Sequence, residues 1–122
     1  MSNFQKESLR ARLSWLRGKF VWFHHGDEKM SDCEAAAIAK SFGYKIAVHP
    51  PTDKFSVGNW QGDHMYEALP YLERNREIVN QSAVIIAAPR FMAEEVRSGT
   101  WMTIRYARKL DRPITILARE EK

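Results

Sequence analysis

Four short runs of β-branched, aromatic and aliphatic residues recur along the chain, each separated from the next by a segment long enough to hold a helix. They are Phe20–His25 (FVWFHH), Tyr44–Val48 (YKIAV), Ala83–Ala88 (AVIIAA) and Ile114–Ala118 (ITILA). Runs of this length and composition predict strands. Strands so far apart cannot be joined as hairpins; they need crossovers, which are right-handed and build a parallel sheet covered on both faces. The pattern predicts an α/β fold, a three-layer sandwich with a mainly parallel four-stranded sheet.

The intervening segments carry helical signals. Leu9, Leu13, Leu16 and Phe20 form one apolar stripe along Asn3–Arg17, and Gly18 closes it, giving an N-terminal helix within residues 1–18. Ser31 followed by Glu34 has capping-box spacing and opens a helix over Cys33–Phe42, stopped by Gly43. Pro70 suits the first position of a helix over Tyr71–Asn80, and a further helix is predicted over Gly99–Leu110. Residues 52–69 have no regular period and contain Gly58 and Gly62, so they read as a long loop of the functional or mobile kind. The third run, AVIIAA, predicts a strand buried on both faces. The order α-β-α-β-loop-α-β-α-β is Rossmann-like.

With 122 residues and 44% hydrophobic content, residues 1–122 form one domain with its own core. Cys33 is the single cysteine, so no internal disulfide forms, and the opening residues lack a signal-peptide pattern; the expected location is cytoplasmic. Apolar runs such as Ala83–Pro89 are far too short to span a bilayer, so no membrane partner is expected. A net charge of +4 and a pI near 9.4 favour anionic partners. Most of the basic residues, around Arg10, Arg12, Arg17 and Lys19 and from Arg97 to Arg112, read as solvated helix faces.

Ligands of parallel sheets bind outside the carboxyl ends of the strands, where the strand order reverses. That rule selects His24–Asp32 and Pro89–Thr100. In the first, His24, His25, Gly26 and Asp27 run from a strand end through a glycine into a helix start, which either receives an anion or is an ordinary turn. In the second, Arg97, Ser98, Gly99 and Thr100 place a guanidinium, two hydroxyls and exposed amides together as a phosphate cradle; Ser98 also suits an N-cap without any ligand. Arg74 and Asn75 lie on the helix before the third strand, where one arginine of the Arg74/Arg76 pair points at the crevice.

Histidines and carboxylates at 24, 25, 27, 49, 53, 63 and 64 show no helical zinc spacing, and no CxxC pair occurs, so neither metal nor cofactor is expected. No GxSxG elbow occurs, and Cys33 reads as core rather than nucleophile.

Taken in order, His24-His25-Gly26-Asp27 with Asp32, His49-Pro50-Pro51, Pro70-Tyr71-Leu72 with Arg74-Asn75 and Ile78-Val79, Ala87-Ala88-Pro89, and Arg97–Trp101 with Thr103 and Arg105–Arg108 resemble the SLOG superfamily. This Rossmann-like group includes the Smf/DprA proteins and the LOG nucleotide hydrolases, and the likeness is nearest to its small bacterial and phage branch. It covers about residues 20–118, with RSGTW its most specific part. The resemblance implies a nucleotide-like ligand, with phosphate near the RSGT turn and ribose or base near the HHGD turn. Glu28 and Met30 stand where the family pattern has cysteine and glycine. Arg74 matches the arginine of the LOG hydrolases, but Thr103 occupies the position of their catalytic glutamate. The strand that precedes the first helix in relatives is not in the sequence; either its neighbours pair directly or another subunit fills the gap, which predicts a homodimer or larger homo-oligomer.

The leading expectation is a non-catalytic binder, a sensor or sequestering protein for a nucleotide-derived small molecule. The alternative is a nucleotide N-glycosidase with Arg74, Asp27 and Glu28 as candidate catalytic residues. A nucleic-acid module using Trp15, Trp22 and Trp60 ranks lower, because Trp15 and Trp22 lie in segments that need aromatic core.

Overall fold

The computed structural model describes residues 1–53 and 57–120; residues 54–56 of the expected 52–69 loop, and the closing Glu121 and Lys122, lie outside the described residues. Along the chain come α1 (Asn3–Leu16), β1 (Trp22–His25), α2 (Ser31–Ser41), β2 (Lys45–Val48), β3 (His64–Met65), α3 (Tyr71–Gln81), β4 (Ile85–Ala87), α4 (Gly99–Lys109) and β5 (Ile114–Ile116). Among the described residues the fold is mixed α/β, with four helices and short parallel strands.

Among the described residues the strands form two sheets, β1-β2-β3 and β4-β5, where one four-stranded sheet was expected. Two causes account for the difference. β1 and β4 are not hydrogen-bonded to each other, so the sheet is split between them. The 52–69 segment, expected to be a loop, supplies β3, which pairs in parallel with β2 through Ala47–His64 and Val48–Met65. Two residues between polar neighbours are too short to leave a periodic trace in the sequence. The pairing continues as Thr52 N–H donates to Leu69 O at 2.9 Å and Leu69 N–H to Pro50 O at 3.2 Å.

Helix ends explain most boundaries. The capping box is at α1, where the Ser2 hydroxyl accepts from Gln5 N–H and the Gln5 side chain accepts from Ser2 N–H. The expected box at Ser31 does not form, because Ser31 is already helical and the cap position falls on Met30, with φ 80° and no capping side chain. Pro70 is the cap residue of α3 rather than its first helical residue. After α2 the chain reverses as predicted at Gly43, φ 89°, with Gly43 N–H bonded to Lys40 O and Tyr44 N–H to Ala39 O. The same bond pattern ends α4, but there Asp111 takes the left-handed position at φ 54°.

Alternation along β4 divides the core. Ile86 and Ala88 pack on a cluster containing Leu9 and Leu13 of α1, Ala36 and Ala39 of α2, and Ile46 and Val48 of β2. Ile85 and Ala87 join two smaller clusters with Val79 of α3 and Trp101, Ile104 and Ala107 of α4. Helices therefore cover β4 from both sides, as the AVIIAA run predicts. Trp15 and Trp22, in contrast, are 61% and 42% exposed; Lys19 lies 3.7 Å from the Trp15 ring centre, so these two rings are solvated and cation-covered rather than core.

One buried polar residue fastens α1 to the rest. Gln5 is fully buried, and its amide donates to Pro89 O at 3.0 Å and Leu117 O at 3.2 Å, just beyond the ends of β4 and β5. A buried carbonyl left unpaired costs about 1–3 kcal/mol. The Gln5→Leu variant is expected to lower unfolding free energy by at least that amount, and urea denaturation followed by circular dichroism checks it.

Candidate functional site

The HHGD turn is held in an uncommon shape from four directions. Asp27 has φ 55° and Met30 φ 80°, both in the left-handed region that non-glycine residues seldom enter. Asp32 accepts from Gly26 N–H at 2.9 Å and Glu28 N–H at 3.2 Å through one carboxylate oxygen. His25 Nδ1 accepts from Asp27 N–H at 3.0 Å, and Asp27 Oδ1 from Trp60 N–H at 2.8 Å. Beyond the turn, Gly58 N–H donates to Asp27 O at 2.9 Å, and from α2 the Cys33 thiol donates to Glu28 O at 3.4 Å.

Arg74 is the fourth hold. Its side chain is 1% exposed and lies against Gly26, where an added Cβ would sit 2.6 Å from a guanidinium nitrogen. Glycine at 26 is thus required for close approach of Arg74, while the bend itself falls on Asp27. The guanidinium donates to Gly26 O, to His49 O at 3.3 Å, to Asn75 Oδ1 at 2.8 Å and to Glu28 Oε1 at 3.2 Å. The negative charge that Glu28 brings to the turn is therefore paired inside the protein.

A cavity of about 480 Å³ lies between β1 and β4 and reaches their carboxyl ends. Of the residues selected from sequence, His24, His25, Gly26, Glu28, Arg74, Asn75, Gly99 and Thr100 line it; Asp27, Pro89, Arg97 and Ser98 do not. Asp27 is buried under Trp60, and the Pro89 carbonyl is taken by Gln5. Arg97 is exposed on the surface. Ser98 is the N-cap of α4, its hydroxyl accepting from Trp101 N–H at 3.3 Å, which leaves the Gly99 and Thr100 amides without a partner among the described residues.

Asp32, Tyr71 and Thr103, which the sequence pattern names without a binding role, are among the other residues that line it. Tyr71 sits beside Gly99, where a Cβ would come within 2.7 Å of its hydroxyl. Its pKa is pushed up to about 12 by desolvation and by the neighbouring Glu28 carboxylate. The Asp32 carboxyl is raised to about 6, by desolvation first and then by the charge of Glu28. Asp32 was visible as the last residue of HHGDEKMSD, but nothing in the spacing said that it would turn back onto the strand end.

Behind the turn stand the histidines. His24 Nδ1 and His49 Nε2 share a hydrogen bond of 2.8 Å, and His49 stacks on Tyr66 with ring centres 4.0 Å apart. Desolvation, then the charges of His24 and His25, lowers His49 to about 3; desolvation and Arg74 lower His25 to about 4. Both rings are neutral near pH 7. Among the described residues no group of three or more histidine, cysteine or carboxylate side chains is arranged to hold a metal, and no helix is long and apolar enough to cross a membrane. No family model, curated protein or solved structure matches the chain.

The site predicts an acid-sensitive fold. From pH 6.5 downward the unfolded chain protonates histidines that the folded chain keeps neutral to about 4 and 3, so their contribution to stability is lost on acidification. Asp32 acts in the opposite sense between its ordinary 3.8 and about 6, since the folded chain there retains a proton that the unfolded chain has released. Two histidines outweigh one carboxyl: urea midpoints should fall from pH 7 to pH 4.5, and less steeply in His49→Gln. Arg74→Met leaves the buried Gly26 and His49 carbonyls without their donor and is expected to cost about 1–3 kcal/mol for each in the same assay, with little added by Glu28, which is 38% exposed.

Proposed function

We propose that the chain binds a nucleotide or nucleotide-derived small molecule at the carboxyl ends of β1 and β4, in a Rossmann-like α/β arrangement. The observation that carries this reading is the cavity lining, which the Gly99 and Thr100 amides at the start of α4, without a partner among the described residues, share with His24, His25 and Gly26 of the HHGD turn. Helix-start amides attract anions, and parallel sheets bind ligands at this end. Arg74 supports the reading indirectly: by pairing Glu28 it removes a charge that would repel a phosphate. The His24, Gly26 and Asn75 side of the mouth then takes the ribose or base.

A second reading, hydrolysis of an N-glycosidic bond, is favoured by one observation. Asp32 lines the cavity with a pKa near 6, the range of a general acid at neutral pH, and it stands near Glu28. In that reaction Asp32 would protonate the departing base while water attacks the ribose carbon.

Incubation with a panel of nucleotides and cyclic dinucleotides, followed by chromatography, separates the two. Retention of an unchanged ligand supports binding, and release of a free base supports hydrolysis. Thr100→Glu, which sets a carboxylate at the α4 amides, should weaken retention about tenfold or more. Neither retention nor release across the panel, together with no small molecule in the mass spectrum of the denatured protein, rejects both.

A further inference from the structure

The split between the two sheets has a chemistry of its own. Peptide groups of successive strand residues point to opposite edges. In the first sheet Val21 O and His25 O accept from Lys45 and His49 N–H at 2.9 and 2.8 Å, so the edge they use faces β2. The peptide groups of Trp22 and His24 therefore face the other way, into the cavity. In the second sheet Ile85 N–H donates to Pro113 O and Ala87 O accepts from Leu117 N–H, both at 2.8 Å, which turns the peptide groups of Ile86 and Ala88 into the same cavity. Two open strand edges thus face each other across it.

The wall on the α1 side is apolar, and the wall on the α3 side is mixed, with Ile78 between Asn75 and Gln81. Leu9 and Leu13 of α1 lie on one face and Ile78 of α3 on the other, while residues of α2 and α4 line the mouth. Buried peptide groups without partners are costly, and natural proteins guard open edges with charge, proline or bulges. Neither edge here is guarded in this way within β1 or β4. What satisfies two facing edges at once is one more strand, whose own peptide groups alternate between them.

We propose that this slot is a docking site for an extended apolar segment of another polypeptide, which inserts between β1 and β4 and joins the two sheets. The side chains that face α1 meet Leu9, Leu13 and Ile86, which selects valine, isoleucine or leucine at alternate positions; those that face α3 meet Ile78 between Asn75 and Gln81, which admits threonine. A second copy of this chain is the poorer donor, because all five strands among the described residues are already paired within the chain. The nucleotide reading concerns the mouth and rests on α4; the strand reading concerns the channel behind it and rests on the backbone edges.

Hydrogen exchange by NMR on the full chain tests this directly. In the dilute protein, the amides of Trp22, His24, Ile86 and Ala88 should exchange fast, while that of Ile85 is slow. A library of capped heptapeptides with valine, isoleucine, leucine, phenylalanine or threonine at alternate positions should contain members that slow all four amides at least tenfold. Ala88→Pro removes one cavity-facing N–H, leaves every bond between β4 and β5, and should weaken those peptides about tenfold. The proposal is overturned if the four amides are already slow in the dilute chain, or if no peptide protects them. It is equally overturned if they become protected only as protein concentration rises, which assigns the slot to a second copy. Should Ala88→Pro fail to fold, the exchange data on the unsubstituted chain decide alone.

Discussion

Arg74 gathers the carboxyl end of the first sheet around one guanidinium. It reaches the carbonyl of Gly26 after β1, the carbonyl of His49 after β2, and the Glu28 carboxylate in the turn, while its own backbone belongs to α3. A planar group with fixed donors can do this; a lysine, with a single flexible charge, cannot. Burying such a charge is costly, and the compensation is complete enough to make the surrounding geometry obligatory. Gly26 has no room for a side chain, Glu28 is turned inward, and Asp32 accepts the amides that remain. The features that make the turn a candidate site follow from satisfying Arg74.

How much of this was legible in the sequence depends on the range of the signal. Helices and strands follow local composition, so α1, α4 and the β-branched runs are predicted close to where they lie. Gly43 and Ser98 announce their caps by chemistry alone. The two-residue β3 lacks a period, and Asp111 does the work usually given to glycine, so neither end of that information was available. The split sheet is a matter of which strands are adjacent, which no single segment encodes. Trp15 and Trp22 mislead because an aromatic ring on an amphipathic segment reads as core, whereas here cations stand over the exposed faces.

The site shows the same division. His24, Gly26 and Gly99 were selected for lying at a strand end or a helix start, and they line the cavity. Asp27 and Pro89 were selected on the same ground, yet serve internal bonds, since the direction of a side chain at a turn is set by contacts distant in sequence. Asp32 shows the converse. Its chemistry arises from the loss of water and from Glu28 four positions earlier, and both become apparent only when the chain has folded back.

The buried amide of Gln5 carries a consequence for the order in which the molecule assembles. Its acceptors, Pro89 and Leu117, lie 84 and 112 residues further along the chain. The first helix can coil by itself, but its polar anchor is complete only when the segments after both β4 and β5 are in place. Leu9 and Leu13 can already pack on Ala36 and Ala39 of α2 and on Ile46 and Val48 of β2, so α1 docks on its near neighbours first and the Gln5 bonds close as a late, non-local step.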